Sequence, residues 1–415
     1  MRRAMPMQDN LRINGDRLSS RLNELAQVGR IAGDGVCRLA LSDEDRAGRD
    51  LVVGWMRDLG LTVKIDKIGN VIGIRPGRED GPPVMTGSHI DTVRTGGRYD
   101  GTLGVLAGLV VIATLNDAEI ATKRPVAVAF FTNEEGSRFQ PDMFGSLVYT
   151  GALSLEAARA TKAIDGPTAG EELDRIGYAG PEPVGRPLAH AYVELHVEQG
   201  PVLEAEGFRI GAVEGVQGIS WTEFTLTGQS NHAGTTPMRM RKDAGYVAAE
   251  IAVFARKIAK DIGGYQVATV GALTVAPNLV NVVPNHVVMT VDLRNTDEAT
   301  LQDAEKRLFS YADEIAAAEG VGLARRTLAR FEPVAFAPQL VGRVEAIAKN
   351  FGLPVKRLPS GAGHDAQIMA AVCPACMIFV PSVGGISHNV EEYTAPADLA
   401  AGADVLLRLL LELAD

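Results

Sequence analysis

Two kinds of hydrophobic periodicity divide this chain. Over the opening third, short apolar runs alternate with stretches whose apolar residues recur every three or four positions, the signature of strands interleaved with helices. Leu18, Leu22 and Leu25 are helically spaced, and Ser42 can cap an acidic first turn leading to Leu51, Trp55 and Leu59 before Gly60. Strands are predicted at 62–65, 71–74, 84–87, 126–132 and 192–196. The run at 126–132 has six apolar residues ahead of its threonine, a density that belongs to a sheet covered on both faces. From about Gly218 the order becomes strand (219–228), helix (243–262), strand (267–276), strand (286–294), helix (297–319), strand (323–331). That is the β-α-β-β-α-β order of a ferredoxin-like unit. Beyond Pro333 the earlier pattern resumes, with a helix near 339–351, an apolar strand at 377–380 and an amphipathic helix at 397–413. The expected fold is therefore α/β in two domains. Residues 1–216 and 332–415 build a mixed, mostly parallel sheet flanked by helices, and residues 217–331 form an inserted domain.

Length supports the division, since 415 residues exceed what one core usually serves. A formal net charge of -10 is the wrong sign for gathering phosphates, which excludes nucleic acid as the expected partner and leaves small metabolites. The apolar run 104–115 is too short to span a bilayer and reads as a buried helix, so no membrane association is expected. The first ten residues hold two arginines with no apolar stretch behind them, which supports neither a secretory nor a twin-arginine signal. With three cysteines and no disulfide framework, the expected location is the cytoplasm. Cys373 and Cys376 form a CxxC pair ahead of an apolar strand and read as buried bystanders.

The chemistry-bearing residues are distributed unevenly. His89 and Asp91 follow one predicted strand, Glu134 and Glu135 another, His196 ends a third, and His388 lies in the Gly-rich loop after a fourth. In an open parallel sheet, loops beyond the strand ends converge on one crevice. Imidazoles and carboxylates together suit borderline divalent metals, zinc above all, and Asp100 adds a carboxylate able to bridge two ions. Asp91 is placed to accept the second ring N–H of His89. Of the adjacent acids Glu134 and Glu135, one can ligate while the other takes a proton from the attacking water. Singly, each position has a bland reading: a strand histidine is usually a satisfied core residue, and Asp-Gly is usually a turn. Jointly that reading fails at Asn133-Glu134-Glu135-Gly136, because two acids at the end of a buried apolar strand carry costly unpaired charge.

Six segments then carry a resemblance. Thr86-Gly-Ser-His-Ile-Asp91, Gly97-Arg-Tyr-Asp-Gly101, Thr132-Asn-Glu-Glu-Gly136, His196-Val-Glu-Gln-Gly200, Ser360-Gly-Ala-Gly-His-Asp365 and Gly385-Ile-Ser-His-Asn389 resemble signature segments of one family. It is the N-carbamoyl-L-amino-acid hydrolase, allantoate amidohydrolase and β-ureidopropionase branch of the dinuclear zinc aminoacylase and exopeptidase superfamily. The resemblance implies a zinc exopeptidase-like catalytic domain and an inserted domain serving as lid and dimer interface, hence a homodimer. It implies that Asp100 bridges two divalent ions, with Glu135 and His388 completing one and His89 and His196 the other, and that Glu134 is the general base. His232, in Ser230-Asn-His-Ala-Gly-Thr-Thr-Pro237, is implied to stabilise the oxyanion, and Asn281 and Arg294 to hold polar groups of the substrate. Gln199 and Gly361 resemble further substrate contacts. The planar fork of Arg294 suits a carboxylate, its bland alternative being a surface ion pair. His190 and His286 read as structural, and His364 as ordering its loop.

The expected activity is that of a hydrolase acting on carbon–nitrogen bonds other than peptide bonds. Its substrate would be a carboxylate-bearing ureido compound, an N-carbamoyl-L-amino acid first, with allantoate, N-carbamoyl-β-alanine and N-acyl amino acids as alternatives. A non-catalytic metabolite-binding relative is the rival from another class, opposed by the presence of every ligand and of Glu134. The donor set accepts manganese, cobalt or nickel as well as zinc.

Overall fold

A computed structural model of the chain describes residues 11–415, and the decapeptide bearing the signal-peptide expectation lies outside the described residues. Its thirteen strands fall into three stretches of sequence. The first supplies β1 (Thr62–Ile65), β2 (Val71–Arg75), β3 (Val84–His89), β4 (Val126–Phe131), β5 (Ala191–Val197) and β6 (Ile210–Val216). Then follow β7 (Gly218–Thr227), β8 (Val267–Ala276), β9 (His286–Asn295), β10 (Gly322–Phe331) and the short β11 (Val334–Ala335). The last supplies β12 (Val355–Ser360) and β13 (Ala375–Val380). The chain divides into two compact units, Met1–Glu214 with Phe336–Asp415, and Gly215–Ala335.

In the larger unit the strand order is β1-β2-β4-β3-β5-β13-β6, with β12 also paired to β6. The central run β4-β3-β5-β13 is parallel, whereas β1, β2 and β6 join antiparallel at its flanks. Every residue of β3, β4, β5 and β13 is buried, as the near-continuous apolar runs required. Parallel pairing sets His89 opposite Phe131 and Phe379 opposite His196, so the carboxyl ends of these strands share one edge of the sheet. The helix Thr102–Asp117 has no polar side to show: Thr102 through Leu115 are all buried, and it packs on β3, β4, β5 and the helix Pro396–Ala414. The helix Asp43–Asp58 starts where expected, with the Ser42 hydroxyl accepting from the Asp45 N–H at 3.2 Å and three acids in its first turn.

β6, β12 and five short helices (Phe144–Thr150, Leu155–Ala160, Ala169–Ile176, Val202–Glu206, Asp365–Met369) were not foreseen. Elements of five to eight residues complete too few turns for a 3.6-residue period to show. β3 runs on to His89, two residues past its predicted end.

The smaller unit is one antiparallel sheet ordered β10-β7-β9-β8. β7 and β9 alternate strictly between buried and less buried positions, and their buried side, with Phe224, Leu226, Val287, Met289, Val291 and Leu293, packs on two helices. Those helices, Ala244–Ile262 and Glu298–Ala318, contribute Val247, Ile251, Ile258, Leu301 and Leu308. This is the ferredoxin-like arrangement expected. The unit's two ends meet, because Gly215 and Val216 pair with Ala335 and Val334.

One buried ion pair stands behind the acidic loop after β4. Arg49 and Asp45 are wholly excluded from solvent, with Nε and Oδ2 2.8 Å apart. Arg49 also donates to the Gly69 carbonyl at 2.7 Å and the Thr132 hydroxyl at 3.2 Å, its guanidinium lying by the Phe130 and Tyr178 rings. Asp45→Ala leaves that guanidinium buried without its carboxylate, and the expected loss is about 3–5 kcal/mol. Equilibrium denaturation measures it; a loss under about 1 kcal/mol would mean that Arg49 finds another partner.

Candidate metal centre

Six side chains meet where the parallel strands end. Ligand atoms of His89, Asp100 and His196 lie within 4.8 Å of one another, and so do those of Asp100, Glu135 and His388. Asp100 is common to both sets and divides its oxygens: Oδ1 lies 3.1 Å from His196 Nε2 and 3.7 Å from His89 Nε2, while Oδ2 lies 3.3 Å from His388 Nε2. Glu135 completes the second set, with Oε2 3.4 Å from His388 Nε2. Glu134 belongs to neither; its Oε2 is 3.3 Å from His89 Nε2. Glu194, His196 and His364 also cluster, but Glu194 already accepts from Ser88 Oγ and Ala366 N, and His364 Nε2 pairs with Ser360 Oγ, so this group offers no open ligand set.

Local backbone makes the cluster. Asp100 is delivered by the turn into the helix Thr102–Asp117, where Gly101 has φ 64° and faces the His89 ring so closely that any Cβ would overlap it. Non-glycine residues with positive φ gather here too: Asn133, Met143, Gln199 and His388. Such conformations are costly and persist where surrounding structure enforces them, a common property of functional loops. His89 and His196 each turn Nδ1 to a main-chain carbonyl, of Asp91 at 2.9 Å and Val197 at 2.8 Å. A neutral ring so held presents the Nε2 lone pair to the cavity, the form a metal takes. The sequence reading gave that acceptor role to the Asp91 carboxylate, and the structure corrects it. The carbonyl accepts instead, and the carboxylate receives the Glu134 and Glu135 N–H groups, both at 3.3 Å.

These groups, with Gln199, Asp142, Ala362, Gly363 and His364, line a cavity of about 110 Å³. No lysine or arginine lines it, among the described residues. Burial pushes Glu134 well above the usual carboxylate range, helped by Asp365, Glu135 and Glu194 against His89. Burial and Asp100 push Glu135 up to about 8. Asp100 is the exception: burial alone would raise it, but hydrogen bonds with His196, His388 and His89 hold it well below. Burial would lower His89, yet Glu134, Asp100 and Asp91 raise it well above an ordinary histidine. His388 rises to about 9 through its bond to Asp100. Buried carboxylates and imidazoles thus face one another across a cavity whose described lining carries no lysine or arginine charge. A divalent cation on each donor set would supply positive charge, and borderline N/O ligands are the chemistry it prefers.

Sequence reasoning missed the acids behind the ligands. Glu392 Oε1 accepts the N–H groups of Tyr99 and Asp100 at 2.9 and 3.2 Å, tying the His388 loop to the Asp100 turn. Glu194 stands two positions before His196 in an otherwise apolar strand, a signal that could have been read. Asp365 lies inside a recognised segment and accepts from Ser146 Oγ at 2.6 Å. Gln199 donates to Asp100 Oδ2 at 2.9 Å and leaves Oε1 buried without a partner. The loop around Gly361 contributes Ala362, Gly363 and His364 to the wall, and the His364 ring packs edge-on against His196 at 4.6 Å. His190 and His286 lie apart, both exposed, and Cys37, Cys373 and Cys376 are free thiols.

In the smaller unit, His232 Nδ1 accepts the N–H groups of Gly234 and Thr235 at 3.0 and 3.3 Å, which puts the proton of a neutral ring on Nε2 as an outward donor. Ala233 N bonds to Asn281 O and Val283 N to Asn231 O, so the His232 and Asn281 loops form one tip beyond the end of β7 and the start of β9. Arg294 sits at the far end of β9, where Nη2 meets Asp292 Oδ2 at 2.9 Å and the guanidinium lies 5.8 Å from the Trp221 ring. The ion pair considered for it is present.

Comparison with known proteins places this geometry. Residues 85–412 match the peptidase family M20/M25/M40. An N-carbamoyl-L-amino-acid amidohydrolase of Rhizobium meliloti is 45% identical over 98% of this chain and 98% of its own. The allantoate amidohydrolase of Escherichia coli (strain K12) is 37% identical over 94% and 96%. A crystal structure of an amidase of the hydantoinase/carbamoylase family from Burkholderia multivorans superposes with a TM-score of 0.95 at 48% identity, covering 97% of this chain and 98% of that one. With a match this long and relatives this similar end to end, the chain belongs to the M20/M25/M40 peptidase family, a family of metal-dependent hydrolases.

Proposed function

We propose that this enzyme hydrolyses the carbamoyl C–N bond of N-carbamoyl-L-amino acids. The observation that carries the reading is the pair of donor sets sharing Asp100 with Glu134 beside them and outside both, together with the 45% identity to an N-carbamoyl-L-amino-acid amidohydrolase. His89, Asp100 and His196 would hold one divalent ion and Asp100, Glu135 and His388 the other, zinc suiting these donors best and manganese, cobalt or nickel also fitting. Bound there, such ions polarise the scissile carbonyl and acidify water. Glu134 takes the proton of the attacking water and returns it to the leaving amine, for which a carboxyl raised by burial is suited. The products are the amino acid and carbamic acid, which falls apart to ammonia and carbon dioxide. His232 Nε2–H is the oxyanion donor, Arg294 takes the α-carboxylate, and Gln199, Asn281 and Gly361 contact the substrate's remaining polar groups.

The smaller unit also supports a homodimer in which it serves as lid and interface, residues 217–331 being the inserted domain and 1–216 with 332–415 the catalytic one. The His232–Asn281 tip and Arg294 stand at opposite ends of β9, eight residues apart and so about 26 Å at ~3.3 Å per residue. That is far longer than an N-carbamoyl amino acid. That separation favours a dimer in which the tip and Arg294 of one chain serve different substrate molecules. No described helix is long and apolar enough to cross a membrane, and the three free thiols suit the cytoplasm.

A second reading, allantoate as substrate, is favoured by the Escherichia coli relative. Ammonia release from N-carbamoyl-L-amino acids, N-carbamoyl-β-alanine and allantoate decides between them. Chelation is expected to abolish the activity and a divalent ion to restore it; full activity in metal-free protein would overturn the mechanism.

A further inference from the structure

Besides Glu134, one acidic residue of the cavity wall takes no part in either donor set. Asp142 lines the cavity with Glu134, Glu135 and the 362–364 loop. The segment between Glu134 and Phe144 closes like a hairpin: Met143 N–H donates to Glu134 O at 2.7 Å, Phe144 N–H to Asn133 O at 3.2 Å and Gly145 N–H to Thr132 O at 2.8 Å. Inside it the Asn133 amide donates to the carbonyls of Phe139 and Pro141. Gly136, at φ 62°, packs on the Asp142 main chain so tightly that a Cβ would meet its Cα at 2.8 Å. On the other side the Met143 thioether abuts Gly363. Position 142 is therefore fixed relative to the general base.

The other acids of the cluster have donors: Asp91, Glu194, Asp365 and Glu392 all accept from main-chain or hydroxyl groups. The Asp142 carboxylate is met by its own main-chain N–H and, among the described residues, by no other donor. A half-buried acceptor left open toward a reaction cavity gains most from a donor on the substrate. Carbamoyl and acetyl caps differ at one group on the carbon under attack: the first carries –NH2, with two donors, the second a methyl, with none. That group is one bond from the carbon that Glu134 serves, and a carboxylate only accepts. Resting on the function proposed above, we propose that Asp142 is a specificity-determining residue that accepts a hydrogen bond from the terminal –NH2 of the ureido cap and so selects carbamoyl over acyl substrates. Its negative charge also turns the substrate's carboxylate away from this end of the cavity.

The test compares kcat/KM of the metal-loaded enzyme and its Asp142→Ala and Asp142→Asn variants on an N-carbamoyl-L-amino acid and the N-acetyl derivative of the same amino acid. Elemental analysis is run on each protein. The carbamoyl-to-acetyl ratio is expected to fall by about tenfold or more in Asp142→Ala with metal retained, because a site built around a substrate N–H discriminates strongly against its absence. Asp142→Asn, which keeps an acceptor oxygen in place, should fall between, and it covers a failure of the alanine variant to fold. An unchanged ratio overturns the proposal, as does loss of metal, which would make Asp142 a ligand. Failure of the wild type on every ureido substrate would sink the proposed function and this inference together; activity with an unmoved ratio sinks the inference alone.

Discussion

Glu134→Gln is expected to lose about a hundred- to ten-thousandfold in kcat while keeping its full complement of metal. Glutamine preserves the shape of the side chain and its reach toward His89, but it cannot take a proton. Glu134 stands in neither donor set, so removing its charge should not empty them. Asp100→Ala should behave oppositely, losing metal as well as turnover, because its two oxygens face both sets. Elemental analysis of the two purified variants separates these outcomes. If Glu134→Gln came away metal-free while Glu135→Gln did not, the two adjacent acids would have exchanged roles.

Arg294→Lys is expected to cost about 2–5 kcal/mol in capture of a carboxylate-bearing substrate, roughly thirty- to several-thousand-fold in kcat/KM. Asp292 holds the guanidinium through Nε and Nη2 at 2.9 to 3.2 Å, and Trp221 lies beside it. Such a clamp fixes the plane of the fork, and a planar fork pairs with a carboxylate in a way a lysine ammonium cannot. The penalty should disappear when the substrate's carboxylate is replaced by an uncharged amide. Equal losses on acid and amide would show that Arg294 is structural, and the carboxylate assignment would be withdrawn.

Periodicity exposed most of the fold because the long elements obey it. β4 and β13 are unbroken apolar runs, and β7 and β9 alternate without a slip across the whole smaller unit. What stayed hidden were helices of one or two turns, the strands β6 and β12, and contacts made by main-chain atoms. The Asp91 carbonyl that orients His89 is invisible to a reading that ranks side chains. Glu392 was missed for a related reason: its work is to hold the N–H groups of Tyr99 and Asp100, which no side-chain motif announces. Glu194 was legible as a lone charge in an apolar strand and went unread because its neighbour His196 explained the segment. Asp142 lies outside every recognised segment, and only the closure of its loop onto Glu134 brings it to the cavity.

The parallel pairing of β5 with β13 has a consequence for how the protein comes into being. The two strands flank the entire smaller unit in sequence, so a ribosome emits β7 through β11 before the second partner of β5 exists, β3 being the first. The smaller unit, with its ends clasped by Gly215–Ala335 and Val216–Val334, has its own core and can settle first. Until β13 emerges, β5 presents a bare apolar edge, the kind of surface on which nascent chains aggregate. His388 arrives later still: its neighbour Ser387 lies 287 residues beyond the Asp100 it approaches. A nascent chain can thus assemble the His89, Asp100 and His196 set long before the second, and metal captured early would clamp β3 to β5 while the remaining strand is still being made.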